Sequence, residues 1–250
     1  ALPISHLRPG GGGSPSEALR LLGESVMMLS VQKLGAQVHD YRQAQDLILA
    51  AYKAKLLSAG APGLQLGWPT LDAMTGGLAT GDLVSLIGRP AAGKSFLLLW
   101  AALHAWLHQG KVPLFASMEI KTLPIEQRLL AIQSRISARH LRDATLATRT
   151  YRHVKQVLLE NKASAVPFYV LDGNLTATVG DLHAMVRQLK PDLVIADGAY
   201  LFRHPSERDR YKRVAENVDL LKSHIADLVP TIASWQFARP PEPLHHRLRP

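Results

Sequence analysis

The chain has 250 residues, 47% of them hydrophobic, with 29 lysines and arginines against 20 aspartates and glutamates, a net charge of +9. That length and apolar share allow a full-sized core and one α/β domain with an appendage. The lack of cysteine excludes disulfides and thiolate zinc sites and fits a reducing compartment, and no apolar stretch reaches the roughly 18 residues of a membrane span.

Residues 1–15 read as a flexible lead, because Gly10 to Gly13, Ser14 and Pro15 carry no apolar periodicity. Leu19, Leu22, Val26 and Leu29 then step by three and four, and Tyr41, Ala44, Ile48 and Ala51 repeat the spacing. The spacing predicts helices over 16–34 and 38–58, or one long helix kinked at Gly35. Their apolar stripe covers either the chain's own core or a neighbouring subunit. Gly60 to Gly67 ends this helical arm, residues 16–62, and opens the main domain, residues 63–239.

Within that domain, strands are predicted at 83–87, 112–117, 167–171, 192–196 and 229–234. Each is short, apolar and bounded by polar residues, Gly or Pro. Helical patterns separate them at 94–108, 124–162 with breaks, 178–189 and 207–227. Thr178 with Asp181 three residues on marks a capping box. Alternating helices and unbroken apolar strands predict an α/β fold with a mostly parallel central sheet covered on both faces. Residues 240–250 form a tail rich in Pro, His and Arg.

Between the first strand and its helix stand Gly88, Arg89, Pro90, Ala91, Ala92, Gly93, Lys94 and Ser95. They match G-x-x-x-x-G-K-S, the phosphate-binding P-loop, without a mismatch. The glycines let backbone N–H groups wrap a triphosphate, and the helix N-terminus aims its dipole at it. Lys94 is a point charge for β- and γ-phosphate oxygens, and the Ser95 hydroxyl is a ligand for Mg²⁺. Phe96 completes the expected nucleotide-binding set.

A second carboxylate is needed near the metal. Asp192-Leu193-Val194-Ile195-Ala196-Asp197 carries Asp197 to the carboxyl edge of the sheet, a Walker B pattern. Gly198 follows, where many such ATPases place a water-activating glutamate. The base is therefore sought past the neighbouring strand, at Glu119 after Ser117-Met118. The last strand ends in Gln236, a candidate sensor of the γ-phosphate, with Arg239 three residues on. The basic segment from Arg203 to Arg213 follows the Walker B strand, and Arg208, Arg210 and Lys212 are its candidates for nucleic-acid phosphates. His104 and His108 stand four apart on a helix without a third metal ligand and read as helix-surface residues. Trp100 and Trp106 read as core.

Four segments in order resemble the ATPase domain of DnaB-type replicative helicases, phage members included. They are the lead-in Gly67-Trp68-Pro69-Thr70-Leu71-Asp72 to Gly81-Asp82-Leu83, the P-loop entered by Gly88-Arg89-Pro90, Phe115-Ala116-Ser117-Met118-Glu119-Ile120, and Ala233-Ser234-Trp235-Gln236-Phe237-Ala238-Arg239. The resemblance implies a RecA-like fold, a homohexameric ring and Mg²⁺-ATP between subunits. It also implies 5′-to-3′ movement on single-stranded DNA with duplex unwinding, contacts with primase or a helicase loader, and a cytoplasmic location. Its linker helix packs on the adjacent subunit, which favours the subunit-packing reading of the arm.

After Arg239 the resemblance stops. The family's last strands and the basic hairpin with its arginine finger are not recognised, so the chain is expected to be C-terminally incomplete or diverged there. Loss of such a finger costs roughly 10³–10⁵ in rate in GTPases. Two other readings therefore stand beside the helicase motor. One is a recombinase-like RecA ATPase without unwinding, against which Gly88-Arg89-Pro90 and Ser117-Met118-Glu119 argue. The other is a nucleotide-binding module for helicase assembly with little turnover.

Overall fold

The structure is a computed structural model that describes residues 41–57, 63–172, 178–204 and 209–237. The chain divides into two units between Ala61 and Pro62. In the first, a 3₁₀ turn at Tyr41–Gln43 precedes helix α1, Gln45–Leu57. Leu47, Ile48, Leu49, Tyr52 and Leu56 of α1 are exposed. The expected helix 16–34 lies outside the described residues.

The second unit runs α2 (Pro69–Thr75), β1 (Leu83–Gly88), α3 (Lys94–Gln109), β2 (Pro113–Ser117), α4 (Thr122–Ser134), α5 (Ala138–Arg142), α6 (Thr148–Ala163), β3 (Tyr169–Asp172), α7 (Val179–Leu189), β4 (Leu193–Asp197), α8 (Arg210–Leu220) and β5 (Thr231–Gln236). All strand pairs are parallel, in the order β1-β5-β4-β2-β3. The central strands β2 and β4 are buried along their whole length. This is the α/β parallel sheet expected from the unbroken apolar runs.

Alternation along each strand divides the core between the two faces. On one face Leu193, Ile195, Phe115 and Ile232 meet Leu98, Leu99, Ala101, Ala102 and Ala105 of α3. On the other, Val194, Ala196, Leu114 and Ala233 meet Val179, Leu182 and Val186 of α7 with Phe202, Leu221 and Ile225. Each large apolar side chain so buried contributes about 1.5–3 kcal/mol. The sheet is thus clamped from both sides.

Helix starts follow local chemistry. The capping box at α7 is present in both directions: the Thr178 hydroxyl accepts from the Asp181 N–H, and the Asp181 carboxylate accepts from the Thr178 N–H. Asp209 caps α8 at Arg210 by accepting from the Tyr211 and Lys212 N–H groups, while position 207, the expected start of the helix, lies outside the described residues. It closes in a π turn at Leu221–Ala226. The last strand begins two residues later than its apolar run, at Thr231. Pro230 has no N–H for the ladder, and the Val229 N–H turns back to the Ile225 carbonyl. The 124–162 stretch resolves into α4, α5 and α6, with Arg135 in the left-handed region ending α4.

Helix α2 carries no long periodicity and escapes a pattern reading. Pro69 at its first position and left-handed Gly76 at its end are its only local marks. Its Asp72, 7% exposed, accepts from the Leu66 N–H at 2.7 Å and the Gly67 N–H at 3.0 Å. That pins the loop leading to β1. Trp100, expected in the core, is half-exposed, with its indole N–H directed at the Gly67 carbonyl. Trp106 donates to the Val166 carbonyl and stacks edge-on against Phe168.

Candidate functional site

Four strands end at one place. Cross-strand register sets Gly88 of β1 beside Gln236 of β5, and Ser117 of β2 beside Asp197 of β4. The order of strands therefore gathers the P-loop, Gln236, Asp197 and the Ser117-Met118-Glu119 turn along the carboxyl edge.

The P-loop leaves β1 at Gly88 and enters α3 at Lys94. Gly93 has φ +85°, a conformation open to glycine, and Ala91 adopts φ +59°. Such reversals turn successive N–H groups inward. The Lys94 ammonium donates to the Gly88 carbonyl at 3.3 Å and the Arg89 carbonyl at 2.9 Å. It is thereby held across the mouth of its own loop. Ser95 is half-buried at the first turn of α3, while Arg89, Pro90, Ala91, Ala92 and Phe96 are exposed.

Asp197 is 2% exposed. Its Oδ1 accepts from the Ser234 hydroxyl at 2.7 Å, and its Oδ2 is buried without a hydrogen-bond partner. A bare carboxylate oxygen in such a place costs free energy unless something positive meets it. The same Ser234 oxygen accepts from the Gly198 N–H at 2.8 Å.

Glu119 stands close by. Burial, and next the charge of Asp197, push its carboxyl above the usual range, against the pull of Lys94 and Arg128. Two carboxylates and two cations therefore share one field around Glu119, whose own side chain is exposed. Gly198, at φ +80°, explains why no side chain follows Asp197. A Cβ there would lie 3.0 Å from Glu119 Cγ.

Pattern reading missed three neighbours of this site. Arg128 of α4 sits 5.4 Å from the centroid of the Phe96 ring and acts on Glu119. Tyr200, on a 3₁₀ turn at Ala199–Leu201, bonds Gln236. Ser234 bonds Asp197. Only Ser234 left a usable signal, a hydroxyl inside the otherwise apolar run Ile232-Ala233-Ser234-Trp235.

Of the residues expected to meet nucleic acid, Arg208 lies outside the described residues, as does Arg239, the expected coupling residue. Arg210 opens α8, and Lys212 is exposed on it. Glu216 of the same helix lies 3.2 Å from the His204 imidazole. The rings of His104 and His108 are 4.9 Å apart. Burial, and then His108, hold His104 below its ordinary value against Asp72. Among the described residues no group of three or more His, Asp or Glu side chains could hold a metal, and no helix is long and apolar enough to cross a membrane.

A P-loop after the first strand of a five-stranded parallel sheet, with carboxylates at the ends of two strands that pair with each other, defines a RecA-like α/β fold. The chain belongs to the DnaB-like helicase C terminal domain family, whose sequence model matches residues 63–250.

Among known proteins, the replicative DNA helicase DnaB of Leifsonia xyli subsp. xyli is 29% identical over 216 residues, 82% of this chain and 47% of that protein. DnaB of Treponema pallidum is 29% identical over 187 residues, 72% of this chain and 42% of that protein. The chain thus spans less than half the length of these relatives.

The fold is similar to a solved DnaB-like replicative helicase, described with its interactions with primase, at a TM-score of 0.68 and 20% identity, covering 90% of this chain and 58% of that one. The solved ATPase domain of a second protein gives a TM-score of 0.69 and 23% identity, covering 78% of this chain and 71% of that one.

Proposed function

We propose that this chain is the motor part of a replicative DNA helicase, which couples ATP hydrolysis to movement on single-stranded DNA and duplex unwinding. One observation carries the reading: the unpartnered, buried Oδ2 of Asp197 beside Glu119 and the P-loop lysine. An oxygen so placed suits a hard cation, which takes carboxylate, hydroxyl and phosphate oxygens. Asp197 and Ser95 would hold Mg²⁺ with ATP on residues 88–96, and the metal would neutralise phosphate charge.

The chain's own groups account for the rest. Lys94 would exchange the Gly88 and Arg89 carbonyls for phosphate oxygens, a stronger charge-assisted bond. Glu119, with its raised basicity, would take a proton from the attacking water. Arg128 would balance charge next to it, stacked on Phe96. Gln236, in register with Gly88, would report on the γ-phosphate. Departure of the phosphate would then be felt on β5 and, through Tyr200, on the turn that leads to the basic segment from Arg203 to Arg213.

The relatives' printed names, and the solved helicase described with primase, support a replicative setting in a bacterial or phage-infected cell's cytoplasm. Single-stranded DNA would lie against Arg208, Arg210 and Lys212. The exposed apolar residues of α1 support an arm, residues 16–62, that packs on an adjacent subunit of a hexameric ring. Primase or a loader would be further partners, and Arg239 a further coupling residue.

The test is steady-state ATP hydrolysis with and without single-stranded DNA, with oligomeric mass measured in the same buffer. DNA-stimulated turnover in a hexamer supports the motor. Tight ATP binding with little turnover at any DNA concentration points to an assembly module instead.

A further inference from the structure

We propose that Ser234 is a positioning residue that sets the spacing between the two carboxylates of the site, Asp197 and Glu119. The β4–β5 ladder runs from Val194 and Thr231 to Ala196 and Ala233, and ends there. Asp197 and Ser234 stand at the next step, where the backbone no longer pairs. A side chain takes over. The Ser234 hydroxyl donates to Asp197 Oδ1 at 2.7 Å and accepts from the Gly198 N–H at 2.8 Å. Ser234 is 1% and Asp197 2% exposed, so bulk water does not compete for these bonds.

The arrangement has one polarity. The Gly198 N–H occupies a lone pair, and the single hydroxyl proton is committed to Oδ1. That leaves Oδ2 as the carboxylate oxygen without a partner, aimed by the bond its twin makes. The second arm of the clamp fixes Gly198, against which Glu119 Cγ packs so closely that a Cβ would come within 3.0 Å. One hydroxyl thus holds the oxygen assigned to the cation and the backbone that supports the base. Ser234 also lies two residues before Gln236 on the same strand, so any movement of β5 reaches both carboxylates together.

The proposal rests on the assignment of Asp197 to the cation and of Glu119 to the water. It is tested on the full chain with Ser234→Ala, reading binding of a fluorescent ATP analogue against Mg²⁺ concentration, the same binding in EDTA, and kcat. Expected are a Mg²⁺ requirement raised roughly tenfold or more, the weight of one hydrogen bond to a charged group, and a lowered kcat. Binding in EDTA, which depends on Lys94, stays unchanged. A merely structural serine would move all three readings together, and that result overturns the proposal. So does a variant with the wild-type Mg²⁺ requirement and kcat. If the alanine variant does not fold, Ser234→Cys, which keeps the shape with a weak donor, carries the same expectations. Wild-type binding that is indifferent to Mg²⁺ would remove the assignment of Asp197 itself, an outcome separate from the fate of Ser234.

Discussion

The phenol of Tyr200 donates to the amide oxygen of Gln236 at 2.5 Å, joining the turn after β4 to the end of β5. Gln236 lies in register with the first glycine of the P-loop. Tyr200 precedes the basic segment by three residues. Among the described residues, the pair is therefore a direct side-chain link between the nucleotide edge and the turn that leads to the proposed DNA contacts. Tyr200→Phe should fold normally and bind ATP as the wild type does. Stimulation of its turnover by single-stranded DNA should fall several-fold, about the effect of one lost hydrogen bond. Equal stimulation in wild type and variant would show that the link carries no signal.

Lys94 is held by two loop carbonyls. Lys94→Ala should leave the melting temperature nearly unchanged and abolish ATP binding in a direct binding assay. Tight binding by the variant would remove the P-loop assignment.

Glu119→Gln should keep ATP binding and lower kcat by about 10²–10⁴, the usual worth of a positioned general base. The raised carboxyl also sets a pH sign. The base works deprotonated, so kcat should fall on acidification at a higher pH than an ordinary carboxylate would give. In stability, the folded state holds this proton more tightly than the unfolded state does. Ionised Glu119 therefore opposes folding above its raised value, and the opposition disappears as pH falls. The glutamine variant should melt no lower than wild type at neutral pH. A clear loss of stability would mean that Glu119 is structurally favourable as an anion.

Gly198 combines φ +80° with close approach to Glu119. Gly198→Ala should cost about 1–2 kcal/mol of stability, because the left-handed conformation penalises a Cβ. It should lower kcat with little change in ATP affinity. Chemical denaturation and steady-state kinetics measure both, and an unchanged kcat would show that Glu119 tolerates displacement.

Much was legible because it is local. The P-loop, the capping box of Thr178 and Asp181, and the buried runs of β2 and β4 are written in consecutive residues, where backbone conformation and periodicity are set by neighbours. Asp197 and Glu119 could be singled out because each follows an apolar run, and the parallel register ends both runs at the same edge. The edges of elements were less legible where a long-range bond decided them, as at Thr231, whose N–H pairs with the Asp82 carbonyl. Trp100 shows the limit of composition. An apolar helix does not say which of its sides faces the sheet, and this indole points to the Gly67 carbonyl instead.

By itself, then, the sequence determined which groups are available here: a P-loop pattern, a carboxylate closing a buried strand, a second carboxylate past another strand and a basic segment, in an order resembling one helicase family. Tertiary structure alone decided who stands beside whom. Placing β5 between β1 and β4 brings Gln236 to Gly88 and Ser234 to Asp197, pairs far apart along the chain. Packing α4 beside α3 and β3 brings Arg128 to Phe96 and Glu119. The physical reason is that strand order and helix placement come from burying two apolar faces at once. That global condition leaves no mark in any short stretch of residues.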